Sequence, residues 1–407
     1  MNMSVDYSTL NLELLDTVVR YTPVYGPPSQ INDGIRQTFL KYPRHKFIHR
    51  FRLVSEMWET SFRSSSDAEA LELIYSNQPL MYVGEKGESL QASSSEPAFI
   101  VHLLSLLDIR AGDRVLEIGC GTGWLLAMMA ELSGIAANAT GVEIIPSLAA
   151  KARSNLQDVG LGQATILLAD GNTCPVREGQ FDRIMYTAST YRFPQYLFDL
   201  CKIGGRVIIP LRNKGLAEEV QILVRTEWGF ESIDARICKF VQMIQTSSGN
   251  DLSGIKHGND ALLDKIQHGH QQILDIPGGP PGVLAFSSFM SKTQSDYLVV
   301  GLSNHKIAPS FKAGVFGDPS AIGQCLLSAD WSSGAVWNGG NLRSFGDERY
   351  KQNMLKGFTD WVNYGEPVGA QFKLMVTQSG AQAPINSTGP FWTEKRGDTS
   401  FTWALPV

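Results

Sequence analysis

Residues Glu117-Ile118-Gly119-Cys120-Gly121-Thr122-Gly123 set three glycines at alternate positions between an apolar run, Arg114–Leu116, and a helix-like run, Trp124–Leu132. A strand that ends in such a turn and opens a helix lets backbone N–H groups approach a ligand closely. Glu143 ends the next apolar run, Thr140–Val142, where an acid can take the two ribose hydroxyls of a nucleoside. Asp170, with Gly171 after it, follows the third run and is the candidate acid on the base side of such a site. Other catalytic groupings are not evident. There is no convincing His–Asp pair, and His257, His268 and His270 lack cysteine or carboxylate partners at ligand spacing, so no metal is expected. Cys120 reads as a small residue that fits the loop.

The elements that must position these residues follow from periodicity. From Asp113 onward apolar runs at 114–118, 139–144, 164–168, 181–187 and 205–211 alternate with helical stretches at 123–132, 146–159 and 193–201. That alternation predicts an α/β fold, a mostly parallel sheet covered by helices on both faces. Glu219–Thr226 and Gly229–Met243 read as a closing pair of strands. Residues 1–80 read as a helical N-terminal segment, with helices over Leu10–Tyr21 and Ser29–Lys41. A further amphipathic helix is expected over Ser95–Ile109, and residues 81–245 form the sheet domain. Residues 246–407 read as an α+β appendage, entered by a linker at Ser247–Asn250 and interrupted by a breaker at Ile276–Gly282. Val283–Gly301 suggests strands there, and Phe372–Thr377 another. Asp347–Tyr364 is the clearest helix, capped by Asp347 and carrying Tyr350, Met354, Phe358, Trp361 and Val362 on one face. Trp331, Trp337, Trp361, Trp392 and Trp403 read as core. Arg44, His45, Lys46, His49 and Arg50 read as a solvated basic face.

Composition narrows the classes. The chain has 407 residues, enough for two or three domains, with 43% hydrophobic and 18% charged residues. A net charge of −5 argues against nucleic acid as a main partner. No apolar run is long enough to span a bilayer, and Met1–Leu15 has no secretory pattern. Five widely spaced cysteines suit a reducing cytoplasm. The oligomeric state is not readable.

The glycine loop resembles the first motif of S-adenosylmethionine methyltransferases, whose sheet is Rossmann-like. From about residue 30 to 245 the chain resembles the protein-L-isoaspartate O-methyltransferase family. Pro43-Arg-His-Lys-Phe47 is similar to its P-R-H-x-F element and Tyr75-Ser-Asn-Gln-Pro-Leu80 to its Y-S-D-x-P-L. Gln91-Ala-Ser-Ser-Ser-Glu-Pro97 resembles Q-x-T-I-S-x-P, Asp170-Gly171 resembles its G-D-G turn, and Lys202–Pro210 resembles K-P-G-G-R-L-I-x-P. Three stretches depart from the family. T-I-S reads Ser93-Ser94-Ser95, the A-A-P turn reads Thr187-Ala-Ser-Thr-Tyr191, and F-V-P-L reads Phe240-Val-Gln-Met243.

The resemblance implies S-adenosylmethionine as cofactor, held by Glu117, Gly119, Gly121, Gly123, Glu143, Asp170 and Gly171. It implies Ser95 as the catalytic residue that orients a carboxylate, with Ser93, Ser94 and Thr187 on the substrate side. A carboxylate is already ionised at neutral pH, so no general base is required. The length of the chain resembles peptide-tailoring members of the family. That implies esterification of an aspartate in a ribosomally made, cyclised peptide, with collapse to a succinimide and then isoaspartate. General isoaspartate repair is the alternative reading. A small-molecule methyltransferase, or a peptide-binding protein with a vestigial cofactor site, is a third. The partner is a peptide or protein with an aspartate carboxylate.

Overall fold

The computed structural model describes residues 6–28, 30–56, 59, 61–173, 176, 180–215, 217–244, 255–302, 322–385 and 388–406. The runs after Asp113 become the strands Val115–Ile118, Ala139–Glu143, Thr165–Leu168, Phe181–Tyr186 and Cys201–Arg212, each parallel to its neighbours within this set. Val115–Ile118 is buried at every position, as a strand covered on both faces must be. Helix Trp124–Ser133 ends at Gly134, which adopts φ +74 and donates to the carbonyls of Ala130 and Glu131. Helix Pro146–Asp158 starts on a proline, whose missing N–H costs nothing there. The helix expected over 193–201 is only Leu197–Leu200.

The chain runs outward from Val115–Ile118 through Ala139–Glu143 to Thr165–Leu168. It then returns to the opposite side of the first strand as Phe181–Tyr186. The order therefore reverses between Val115–Ile118 and Phe181–Tyr186, and a crevice opens beyond their carboxyl ends, where such sheets bind ligands.

Beyond Cys201–Arg212 come Glu218–Arg225 and Phe230–Ile237, both antiparallel. The sheet does not stop there. Lys373–Gln378 pairs with Phe230 and Glu231, then Thr399–Ala404 and Phe391–Arg396 follow, giving ten strands. The expected appendage over 246–407 is thus divided. Its last strands complete the central sheet, while Ile255–His257, His270–Ile273, Tyr297–Gly301, Ile322–Leu327, Gly334–Asn338 and Asn341–Phe345 form a second sheet of six. One buried cluster joins Leu116 and Ile118 to Trp337, Trp361 and Trp403. Lys292 and Glu219, both buried, meet at 2.8 Å across the same junction.

Other expectations need correction. Gly279–Thr293 is a helix where strands were expected from Val283, and only Tyr297–Gly301 is extended. Pro280 and Pro281 fall in its first turn, where proline is tolerated, so the breaker is a helix start. The N-terminal segment is not purely helical. Tyr7–Tyr21 and Asp33–Lys41 precede Arg50–Leu53 and Arg63–Ser64, which join Leu80–Val83 and Ser89–Ser94 in a four-stranded antiparallel sheet. The clear C-terminal helix spans Arg349–Asn363, with Glu348 at the cap position. Asp347 still accepts the Arg349 N–H, and Val362 is exposed rather than buried. The linker at 247–250 lies outside the described residues. Among the described residues, no helix is long and apolar enough to cross a membrane.

Helix Pro97–Leu107 buries His102 completely, and neither ring nitrogen has a hydrogen-bond partner among the described residues. Burial, followed by the nearby Arg236 charge, pushes its pKa down to about 4. The unfolded chain binds a proton near the ordinary value of about 6.5. The neutral ring therefore stabilises the fold fully above that value, and the contribution drains away as pH falls toward 4. Lowering the pH from about 7 to about 5 is expected to cost on the order of 1 kcal/mol through this residue. Urea titrations of the parent and His102→Leu at the two pH values check this, since the variant loses that part of the pH dependence.

Candidate active site

The crevice at the switch point is a cleft that opens to solvent. The glycine loop forms its floor. Gly119, Gly121 and Gly123 take φ of +89, +53 and +88, conformations that side chains disfavour. A Cβ on Gly121 would come within 3.3 Å of the Tyr82 ring. Gly119 and Gly121 line the cleft, whereas Gly123 faces Ala152 and Leu156 of the next helix. Thr187 follows the neighbouring strand at the cleft wall, and its hydroxyl donates to the Gly119 carbonyl at 2.7 Å. The residue expected on the substrate side therefore also braces the cofactor loop.

Glu143 reaches back over this loop. One carboxylate oxygen accepts the Gly121 N–H at 2.8 Å, and the other accepts Ile145 N–H at 2.9 Å. Burial raises its pKa, and these N–H groups pull it back. Burial, then the charge of Glu143, pushes Glu117 well above the usual carboxylate range, and its Oε2 has no hydrogen-bond partner among the described residues. No Lys, Arg or His is among the described residues that line the cleft, while Glu143 and Asp170 do line it. A buried carboxylate such as Glu143, on a cleft whose described lining holds no basic side chain, suits a ligand that brings positive charge. S-adenosylmethionine, with its sulfonium and ammonium groups, fits that requirement.

Asp170 accepts from the Asn172 N–H and side-chain amide, both at 2.8 Å, and so forms a tight turn. A Cβ on Gly171 would lie 2.5 Å from Ile118 Cγ2. Tyr196 donates to the Gly171 carbonyl and is met by the Tyr186 hydroxyl at 2.6 Å. These two tyrosines carry no motif that would have flagged them. Val241–Ile244 covers the cleft, tied to the Asp170 turn by Asn172, which donates to the Ile244 carbonyl.

The opposite wall is the strand Ser89–Ser94, of which Gln91, Ala92 and Ser93 line the cleft. Side chains alternate along a strand, so Ser94 turns the other way. It is buried and receives Arg44, a correction to its expected place in the groove. Arg44 is itself wholly buried, so the expected basic face excludes it. Its guanidinium donates to the carbonyls of Ile74, Ser76, Gln78, Ser94 and Ser95. Tyr82 bonds Thr122 of the glycine loop at 2.9 Å and also meets Ser94. Ser95 is partly exposed beside this clamp and is not among the residues that line the cleft. It does not cap the following helix. Glu96 holds that position, and Asn77 caps the Ala98 N–H from outside at 2.8 Å. The Cys120 thiol is buried and pushed well up, which leaves it inert. Among the described residues no cluster of His, Cys, Asp or Glu could hold a metal.

Known proteins match this arrangement. The family model described as protein-L-isoaspartate(D-aspartate) O-methyltransferase matches residues 31–248. A protein-L-isoaspartate O-methyltransferase of Ignicoccus hospitalis is 28% identical over 199 residues, covering 49% of this chain and 92% of its own. One from Syntrophotalea carbinolica is 31% identical over 206 residues, covering 50% and 82%. A solved structure titled protein-L-isoaspartate O-methyltransferase superposes with a TM-score of 0.50 at 17% identity, over 92% of this chain and all of its own, a likeness of fold. The family model spans more than half of the chain, and this chain belongs to the protein-L-isoaspartate(D-aspartate) O-methyltransferase family, enzymes that methylate carboxyl groups with S-adenosylmethionine.

Proposed function

We propose that the chain esterifies the free α-carboxylate of isoaspartyl residues in peptides or proteins. The observation that carries this reading is a single cleft with two unlike walls. One wall is the glycine loop with Glu143 and Asp170, and the other is the hydroxyl-bearing strand that leads to Ser95. When bound, S-adenosylmethionine supplies an electrophilic methyl group. The chain's own residues hold and orient. Glu143 takes the ribose hydroxyls, the Asp170–Gly171 turn bounds the base, and Ser93 offers a hydroxyl to the carboxylate from the cleft wall, with Ser95 reaching it from beyond that lining. No side chain that could serve as a base at neutral pH is needed, because the nucleophile is already an anion. Carboxylate oxygen and methyl carbon must be held about 3–3.5 Å apart and in line. Once esterified, the carboxyl group has methoxide to expel. The next backbone nitrogen can then close a succinimide, which water opens to aspartyl or isoaspartyl peptide.

The matched relatives are named protein-L-isoaspartate O-methyltransferases, which supports repair over tailoring of a cyclised peptide. A substrate panel tests the choice. Linear isoaspartyl peptides should be methylated, and their aspartyl counterparts should not. Methylation confined to a pre-cyclised aspartyl peptide would establish the tailoring reading instead. Within the repair reading, Ser95→Ala is expected to lower turnover roughly ten- to hundred-fold, the worth of one hydrogen bond to a charged group. Binding of S-adenosylhomocysteine, followed by calorimetry, should be unchanged. A parallel loss of that binding would remove Ser95 from the substrate side.

A further inference from the structure

The strand Phe391–Arg396 lies far outside the family-matched stretch, yet Arg396 reaches Tyr191, at the end of the turn whose Thr187 and Ala188 line the cleft. Arg396 is only 2% exposed. Its Nη1 donates to the carbonyls of Tyr191 and Arg212 at 3.2 and 3.0 Å, and its Nη2 donates to Asn213 Oδ1 at 3.2 Å. The guanidinium stacks between the rings of Tyr191 and Phe401, 4.5 Å from each centroid. Glu394 turns it into place from its own strand and is met by Lys214 at 3.4 Å.

From these contacts a short path leads to the cleft. Arg212 N–H donates to the Thr190 carbonyl at 2.8 Å, and Thr190 N–H donates to that of Pro210 at 3.0 Å. One residue earlier, Ser189 exchanges backbone bonds with Val241 and Met243 at 2.8 and 2.9 Å. Thr187, Ala188 and Val241–Ile244 line the cleft. The turn that carries Thr187–Tyr191 lacks the proline of the family's A-A-P element, so its own sequence does little to stiffen it. A planar guanidinium that bonds two carbonyls at fixed angles does that from outside.

We propose that Arg396 is a positioning residue for methyl transfer, by which the C-terminal hairpin sets the Thr187–Tyr191 turn that bounds the peptide side of the cleft. The substrate named here rests on the function proposed above; the brace itself does not. Arg396→Gln should raise the KM for a linear isoaspartyl peptide about ten-fold with a smaller change in kcat, since small misplacements far from the chemistry have such effects. Its S-adenosylhomocysteine affinity should fall by less than the KM rises, because Glu143 and Tyr82 hold the glycine loop apart from Thr187. Arg396→Lys should recover part of the loss. Amide hydrogen exchange at Ser189 and Thr190 should quicken in Arg396→Gln, a readout that needs no substrate. Unchanged exchange and an unchanged KM would overturn the proposal. If Arg396→Gln does not fold, Asn213→Ala removes one arm of the brace, and exchange at the same two amides decides in the same sense. If the parent does not methylate the isoaspartyl peptide at all, the function fails, and exchange alone still decides the brace.

Discussion

Replacing Glu143 with alanine is expected to weaken S-adenosylhomocysteine binding by about two orders of magnitude. The carboxylate is 4% exposed and already fixed by two backbone N–H groups, so no rearrangement is needed before it takes two ribose hydroxyls. Hydrogen bonds to a charged group are worth about 1.5–3 kcal/mol each, and about 3 kcal/mol in total corresponds to roughly a hundred-fold in affinity. The substitution also frees the Gly121 N–H, which loosens the loop. Calorimetry gives the answer directly. An affinity within a few-fold of the parent would mean that the ribose sits elsewhere.

The largest stability effect is expected at Arg44. Arg44→Met removes the guanidinium donors from the carbonyls of Ile74 and Ser94, which are buried, and of Ser76, Gln78 and Ser95, which are partly buried. Burial pulls the guanidinium pKa down to about 9, which still leaves it charged at neutral pH. Stranding buried acceptors costs about 1–3 kcal/mol apiece before relaxation, so a net loss of about 4 kcal/mol is expected. Arg44→Lys should recover little, because three donors on a point charge cannot serve five carbonyls. Urea unfolding measures this. A loss under about 1 kcal/mol would show that water replaces the donors.

What was legible in the sequence was local. The glycine loop, Glu143 and Asp170 were readable because each lies at the end of a short apolar run, and the first two are followed by a helix. The parallel strands were readable because each is a short apolar run bounded by turns. Partners distant along the chain were not readable. Nothing local marks Lys373–Gln378 as the neighbour of Phe230–Ile237, since alternation identifies a strand and not the edge it joins. Gly279–Thr293 misled because Pro280 and Pro281 look like breakers until they are seen in a first turn. Arg44 misled because it is flanked by His45 and Lys46, and composition cannot separate a buried guanidinium from a solvated one. Ser94 misled because three serines in a row hide which of them the strand turns inward.

The most direct test of the central claim is the fate of the transferred methyl group on a linear isoaspartyl peptide incubated with S-adenosylmethionine. The intact mass should first rise by one methyl group. Methanol should then be lost in mild base as the succinimide forms. A methyl group that survives base would place the transfer on nitrogen or sulfur and contradict carboxylate esterification in this cleft.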